Sequence, residues 1–485
     1  MGFVFRQVRR LLVLLVVLTA LALVGRGFLA RMEPPLEAWH TFAPTELTRE
    51  ELGKADWPAY LAREAKLMEE IRTHVADQLS PAARVPGNRY FADSPIYPPH
   101  FAQDWNRSFV IEPQGPVKGV AVFLHGLTDS PYSLRHFANL YAQRGFVALG
   151  IRLPAHGTTP AALKSAEWED FMAATRLVMR EAKRRAGGTL PVHVAGYSNG
   201  AALALMYALD ALDDPTLVKP ARLVLVSPMV GVTPYARFAP LAGWPAVLPF
   251  FAQSAWLSIL PEFNPFKYNS FPVNGGYQSW RLTQALRDNI ARHLKSGRLE
   301  GLPPVLTFQS LLDHTVVAQD MVDGLYGHLP DNGSELVLFD VNRLAQLNNF
   351  LSIIALDAAE ALLPPGPRPY RTTIITNSAP DTLTASARIT EAGQTTAREA
   401  PLGLAFPPEV YSLSHIAVPF PLQDGLYGLQ PEPGDNFGIS LGTAAGRGEF
   451  SALTIPLIMV MRMSSNPFFP YVLQKVGEGL PSAQP

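Results

Sequence analysis

A chain of 485 residues with 48% apolar and 17% charged residues can bury a large core, which excludes global disorder. Lys plus Arg number 40 against 41 Asp plus Glu, a net charge of −1, so there is no basic excess to hold a polyanion and nucleic acid is not expected as a partner. Cysteine is absent, which removes disulfides, thiolate catalysis and cysteine-rich zinc sites together.

Residues 1–30 read as a targeting segment. Arg6, Arg9 and Arg10 precede an apolar run from Leu11 to Val24 in which Thr19 is the one polar residue. This is the pattern of a signal peptide or a signal-anchor. The Ala20-Leu21-Ala22 cleavage site is mediocre, which favours an uncleaved anchor. The arginines place the N-terminus in the cytoplasm and the rest of the chain on the exported, extracytoplasmic side, or secreted if the segment is cleaved. Residues 31–105 read as a Pro-rich linker followed by an amphipathic helix over 57–80.

From 106 the pattern changes to short apolar runs alternating with amphipathic stretches. Strands are expected over 117–124, 146–151, 192–195 and 223–227, with helices over 131–144, 166–185 and 199–212. The rhythm implies an α/β fold with a doubly wound, mostly parallel sheet, whose first part is 106–228. Residues 229–300 are rich in aromatics and proline without a clear strand, and read as a helical lid. The core resumes over 301–345, with strands at 305–310 and 335–341 and a helix at 316–328. Residues 346–410 read as an insertion, with one more strand allowed at 369–378 and an irregular Thr/Ala-rich stretch over 379–410. Residues 411–485 form a histidine loop and a C-terminal extension.

The sharpest chemical signal is Gly196-Tyr197-Ser198-Asn199-Gly200. Alone, G-x-S-x-G is weak. Between an apolar strand and the small-residue helix starting Ala201-Ala202-Leu203-Ala204, it reads as a tight turn that holds Ser198 out as a nucleophile. Acyl transfer also needs two N–H donors for an oxyanion. Asn199 supplies one, and Leu127 in His125-Gly126-Leu127-Thr128 the other. His125 and His156 read as loop-fixing residues. A serine hydroxyl needs a base, and the base an orienting acid. Asp313 ends the 305–310 strand, whereas Ser227-Pro228-Met229 after the 223–227 strand offers no carboxylate. Of the histidines beyond it, His328 falls at the wrong end of the sheet and His314 adjoins the acid. His415 is therefore the preferred base and His314 the alternative, although 102 residues separate His415 from Asp313.

These motifs, with Leu153-Pro154-Ala155-His156-Gly157 and Ser310-Leu311-Leu312-Asp313-His314-Thr315-Val316, resemble the α/β-hydrolase superfamily. The nearer likeness is to its capped monoacylglycerol-lipase and serine-aminopeptidase-like branch. The resemblance covers roughly 110–345 and the stretch around 415. It implies serine hydrolysis of an ester or amide through an acyl-enzyme, and the order Ser198, Asp313, His415 matches. An aromatic lid suits an apolar acyl group. Glu262 is the one acid between 229 and 285, which tilts the reading from aminopeptidase towards an esterase or lipase acting on a small-molecule ester or lipid-like substrate. Amide hydrolysis, acyl transfer and a non-catalytic membrane-anchored scaffold are the alternatives. No metal-ligand cluster, Walker loop or dinucleotide fingerprint is present in the sequence, so no metal or cofactor is expected.

Overall fold

The structure, a computed structural model, describes residues 2–444 and 453–482. In chain order its strands are β1 (Phe109–Ile111), β2 (Gly119–Leu124), β3 (Phe146–Ile151), β4 (Val192–Tyr197), β5 (Arg222–Val226), β6 (Trp256–Ser258), β7 (Phe271–Pro272), β8 (Val305–Ser310), β9 (Glu335–Phe339), β10 (Arg371–Asn377), β11 (Thr384–Thr390) and β12 (Arg398–Ala405). Strands β6 and β7 form a small ribbon. The other ten make one sheet in the order β1-β3-β2-β4-β5-β8-β9-β10-β11-β12. From β3 to β10 the neighbours run parallel, and the two edges are antiparallel.

Side chains along β2 show how the sheet is covered. Val120, Val122 and Leu124 join the apolar cluster under the helices Trp168–Ala186 and Asn199–Asp213, while Ala121 and Phe123 join the opposite cluster under the helices Arg135–Gln143 and Phe469–Glu478. A strand buried on both faces reads as a continuous apolar run, as these do. The order reverses at β2, which has β3 on one side and β4 on the other. Ligands in open α/β sheets bind at such a switch point, beyond the carboxyl ends of the strands.

The stretch 346–410 is built into this sheet. After the helix Ile353–Leu362, β10 pairs in parallel with β9, and β11 and β12 extend the edge as an antiparallel pair. This corrects the expectation of an irregular 379–410. The small residues of Thr384-Ala385-Ser386-Ala387 pair well against β10 but carry too little apolar contrast to show the alternation that marks a strand. Between β5 and β8, short helical turns over 234–255 precede the β6–β7 ribbon and the helix Val273–Lys295. The helix Gly2–Ala30 is long and apolar enough to cross a membrane by length and composition, with a mean hydropathy of 2.4 and 6% of its most apolar window buried.

Asp424 ties the 411–444 segment to the core. It is fully buried, accepts from Arg135 Nη2 at 2.9 Å, His136 Nε2 at 2.8 Å and the Tyr132 hydroxyl at 2.8 Å, and its Oδ1 also takes the Leu426 and Tyr427 N–H groups. Burial alone would raise this carboxyl, but the His136 hydrogen bond and the Arg135 charge hold it well below the ordinary range. A depressed folded pKa stabilises the native state above the unfolded value of about 3.9, and that increment is lost as acid drives the pH down through the folded value. Asp424→Ala, which strands part of the Arg135 charge, should lower unfolding free energy by about 3 kcal/mol in a urea titration at pH 7. The gap between the two proteins should shrink when the titration is repeated below about pH 4.

Candidate active site

Among the described residues, the non-glycine positions in the left-handed region are Thr128 (φ 63°), Ala155 (65°), Ser198 (52°) and Ser227 (45°). They follow β2, β3, β4 and β5, so all four lie at the carboxyl ends of neighbouring strands. Such backbone costs about 1–3 kcal/mol per residue and persists where the surroundings impose it. At Ser198 the imposing contacts are visible. Its N–H donates to Val226 O at 2.9 Å, and its carbonyl accepts from Met229 N at 3.1 Å and from the first turn of the following helix.

The flanking glycines are explained by close approach. A Cβ on Gly196 would lie 2.5 Å from Gly200 O, and one on Gly200 would lie 2.0 Å from Leu124 O and 2.6 Å from His125 O. Gly200→Ala must therefore push the helix away from the end of β2 and distort the 125–128 loop. The expected outcome is a loss of about 3 kcal/mol of stability, read by thermal unfolding.

Asp313 and His415 meet. His415 Nδ1 lies 2.7 Å from Asp313 Oδ2, and both side chains are almost completely buried. Asp313 Oδ2 also accepts from Gln309 Nε2 at 2.9 Å, while Oδ1 accepts from the N–H groups of Thr315 (2.7 Å) and Val316 (3.2 Å). Burial would raise the Asp313 carboxyl, but the His415 charge and hydrogen bond and the Thr315 and Val316 N–H groups hold it below the ordinary carboxylate value. The carboxylate thus fixes which ring nitrogen carries the proton, leaving Nε2 with its lone pair.

The 102-residue separation is closed by Asn342. Following β9, it donates from Nδ2 to Pro407 O at 2.8 Å and Glu409 O at 3.0 Å, and from its N–H to Tyr411 O at 2.8 Å. The chain leaving β12 is thereby returned to the carboxyl end of the sheet. Ser414 Oγ then donates to Arg462 O at 2.8 Å and accepts from Ala417 N, which sets the turn around His415. The Tyr197 ring, beside Ser198 in sequence, packs on the imidazole at 5.4 Å. His314 is exposed and is not part of the cavity wall described next.

Ser198 and His415 line one cavity of about 680 Å³, together with Leu127, Thr128 and walls from 229–279. Among the described residues no hydrogen bond joins the Ser198 hydroxyl to the imidazole. Asn199 opens its helix, so its N–H is one of those without an intrahelical acceptor. The Leu127 N–H is likewise not spent on a backbone acceptor. His125 bridges neighbouring loops: Nε2 accepts from Leu153 N at 3.0 Å and Nδ1 donates to Gly126 O at 2.9 Å, with burial holding its pKa well below the ordinary value. His156 donates to Pro154 O and is pushed down to about 3 by burial, so it too is a neutral loop fastener. Another cleft, of about 540 Å³ between the helix Trp57–His74 and the 97–108 loop, holds none of the site residues named from the sequence.

Residues 115–296 match the family described as "Serine aminopeptidase, S33". With the parallel sheet, the reversal at β2 and the strained serine after β4, that match decides the architecture. The chain has the α/β-hydrolase fold. Among solved structures, it is similar to a metagenome-derived lipolytic enzyme of the LipS and LipT pair (21% identity over 48% of this chain and 86% of the other, TM-score 0.38). A soluble variant of the monoglyceride lipase of Saccharomyces cerevisiae (11%, 48% and 81%, TM-score 0.37) and a thermostable carboxyl esterase from Bacillus coagulans (14%, 48% and 83%, TM-score 0.33) are similar to it at the same level. No curated protein matches the chain.

Two polar residues at the site were not singled out in the sequence. Gln309 was signalled by being a long amide side chain in a strand, Val305–Ser310, that is buried at every position. Lys267 is an isolated cation among aromatics. Its Nζ donates to Thr128 Oγ1 at 2.9 Å and reaches Leu127 O at 3.4 Å, bracing the 125–128 loop from the far wall. Burial lowers its pKa while Asp129 opposes the shift.

Proposed function

We propose that the protein is a serine hydrolase that cleaves carboxylic esters of apolar acyl groups through an acyl-enzyme. The observation that carries this reading is the cavity itself. A serine in strained backbone and an imidazole oriented by a buried carboxylate share a space walled by Met229, Val232, Phe238, Leu257, Phe271 and Met459, with no acidic side chain on its surface among the described residues.

In this reading Ser198 Oγ attacks the ester carbonyl carbon and gives its proton to His415 Nε2. The negative oxygen is held by the N–H groups of Leu127 and Asn199. Collapse breaks the carbonyl carbon–alkoxy oxygen bond, and His415 returns the proton to the departing alcohol. Water then adds to the acyl-Ser198 ester by the same route, releasing the acid and restoring the serine. Asp313 stays ionised and stabilises the imidazolium in both halves. Hydrogen bonds of this kind tighten once substrate is bound, so the absent Ser198–His415 bond does not argue for an inert scaffold. A scaffold would also have no reason to keep Ser198 at φ 52°.

The segment 229–300 acts as a lid over the acyl group. The acid-free wall that the described residues form also bears on the amide alternative. A substrate with a free amino terminus would meet the cations Lys267 and Arg462 rather than a carboxylate. Glu262, the acid expected nearest, is buried elsewhere and occupied by the N–H groups of Asn269 and Ser270. The N-terminal helix anchors the enzyme in a membrane, with the arginines before it on the cytoplasmic side and the catalytic body beyond the far face.

The test is a comparison of p-nitrophenyl esters from acetyl to dodecanoyl with aminoacyl p-nitroanilides. The expected result is kcat/KM rising with acyl length into the medium-chain range, at least about 10²-fold above any anilide. Faster turnover of the anilides would overturn the ester reading.

A further inference from the structure

The segment between β5 and β7 is apolar on its outer face as well as on the face that lines the cavity. Tyr235 is 80% exposed, Trp244 62%, Val247 76% and Leu248 58%, and Arg237 is the one charged residue between 229 and 258. An apolar face of this extent does not stay in water without a partner. Its neighbour identifies the partner. The last turns of the helix Gly2–Ala30 are rooted in this face. Phe28 packs edge-on against Phe251 at 5.4 Å, Arg31 lies over the Phe250 ring at 4.1 Å, and Arg26 donates to Trp256 O at 2.8 Å. Gly27 is where helix and face approach most closely, its Cβ position lying 2.9 Å from the Phe251 ring.

Helix length then sets the depth. The apolar run Leu11–Val24 is almost wholly exposed and at 1.5 Å per residue spans about 21 Å, and Arg10 and Arg26 flanking it reach to the headgroups across the rest of the hydrocarbon thickness. A helix spanning a bilayer over those residues puts its root at the membrane surface. Arg26 and Arg31 fall where cations reach the headgroups, and Trp244 and Tyr235 are of the kind that gather at that depth. The same surface rims the cavity, because Tyr235, Phe238 and Leu257 belong both to it and to the cavity wall. Across the opening, Met459 lines the cavity while Ile458 and Met461 point outward, 67% and 72% exposed.

We infer that the 235–257 face, together with 457–461, is immersed in the lipid surface, and that the Ser198 cavity opens into it so that a lipid-phase ester enters from the bilayer. The entry half of this inference rests on the ester-hydrolysing reading above; the immersion half does not.

The cysteine-free chain offers a direct test. Val247→Cys, Ile458→Cys and, at the opposite end of the sheet, Val117→Cys would each be spin-labelled in the full chain and reconstituted in phosphatidylcholine–phosphatidylglycerol vesicles. Power saturation should show the labels at 247 and 458 more accessible to oxygen than to a water-soluble nickel chelate, and the label at 117 the reverse. Nickel accessibility at 247 and 458 matching that at 117 would overturn the inference. So would shielding from both relaxants, which would point to a protein partner or a second copy. This readout needs no turnover, so it stands apart from the ester reading. For entry, Val247→Asp should raise KM about tenfold for a long-chain ester dispersed in vesicles while leaving kcat/KM for p-nitrophenyl acetate within about twofold. Equal effects on both substrates would overturn lateral entry.

Discussion

Ser198→Ala should reduce kcat for p-nitrophenyl esters by at least about 10³-fold and abolish labelling by a fluorophosphonate, with the thermal midpoint kept or raised. The chemical part follows from losing the attacking oxygen, since neighbouring Ser227 follows a different strand and is fully buried away from the cavity. The residual rate comes from what the substitution leaves in place, the two N–H donors and the apolar wall. Stability should not fall, because the hydroxyl has no hydrogen-bond partner among the described residues and the turn is held by backbone bonds to Val226 and Met229. Turnover and labelling that both survive would remove Ser198 from the mechanism.

The second large effect is expected at Asp313. Asp313→Asn should lower kcat by about 10⁴-fold while the protein stays folded. The surroundings decide which way the new amide turns. Oδ1 accepts two backbone N–H groups, from Thr315 and Val316, so the amide oxygen must take that position. The amide nitrogen then replaces Oδ2, facing Gln309 Nε2 at 2.9 Å and His415 Nδ1 at 2.7 Å. A donor now meets the imidazole, which must present the lone pair of Nδ1 and carry its proton on Nε2, the tautomer unable to accept from serine. The imidazolium formed during attack also loses its counter-charge. A circular dichroism melt alongside the kinetics separates this from unfolding. A loss under about tenfold would show that the carboxylate does not orient the base.

What could be read in the sequence was local. Gly196-Tyr197-Ser198-Asn199-Gly200 is legible because the steric demands on its glycines come from the strand before and the helix after, both with strong apolar patterns of their own. Asp313 is legible for the same reason, as the first carboxylate past an apolar strand. His415 could be preferred only by its order in the chain, since what carries it to Asp313 is Asn342 bonding to 407–411, a contact across 65 residues or more that no local pattern encodes. The edge strands β11 and β12 were hidden by their small, polar composition. Within the segment read as a helical lid, the bounds of the helix Val273–Lys295 were hidden by Gly275, Gly276 and several polar residues, and it is stabilised by packing against the core through Leu282, Leu286 and Ile290 rather than by propensity. The outward apolar face of 235–257 was visible as composition, but the sequence gives no hint that its aromatics split between a cavity and an outer surface.

In the proposed mechanism Ser198, acting through His415 and Asp313, forms a covalent adduct with an acyl-like electrophile. Intact-protein mass spectrometry after treatment with a fluorophosphonate, followed by peptide mapping, tests it most directly. One adduct per chain on Ser198, formed far more slowly in His415→Ala, is the predicted result. An adduct on another residue, or ester turnover continuing in a protein with no adduct, would contradict it.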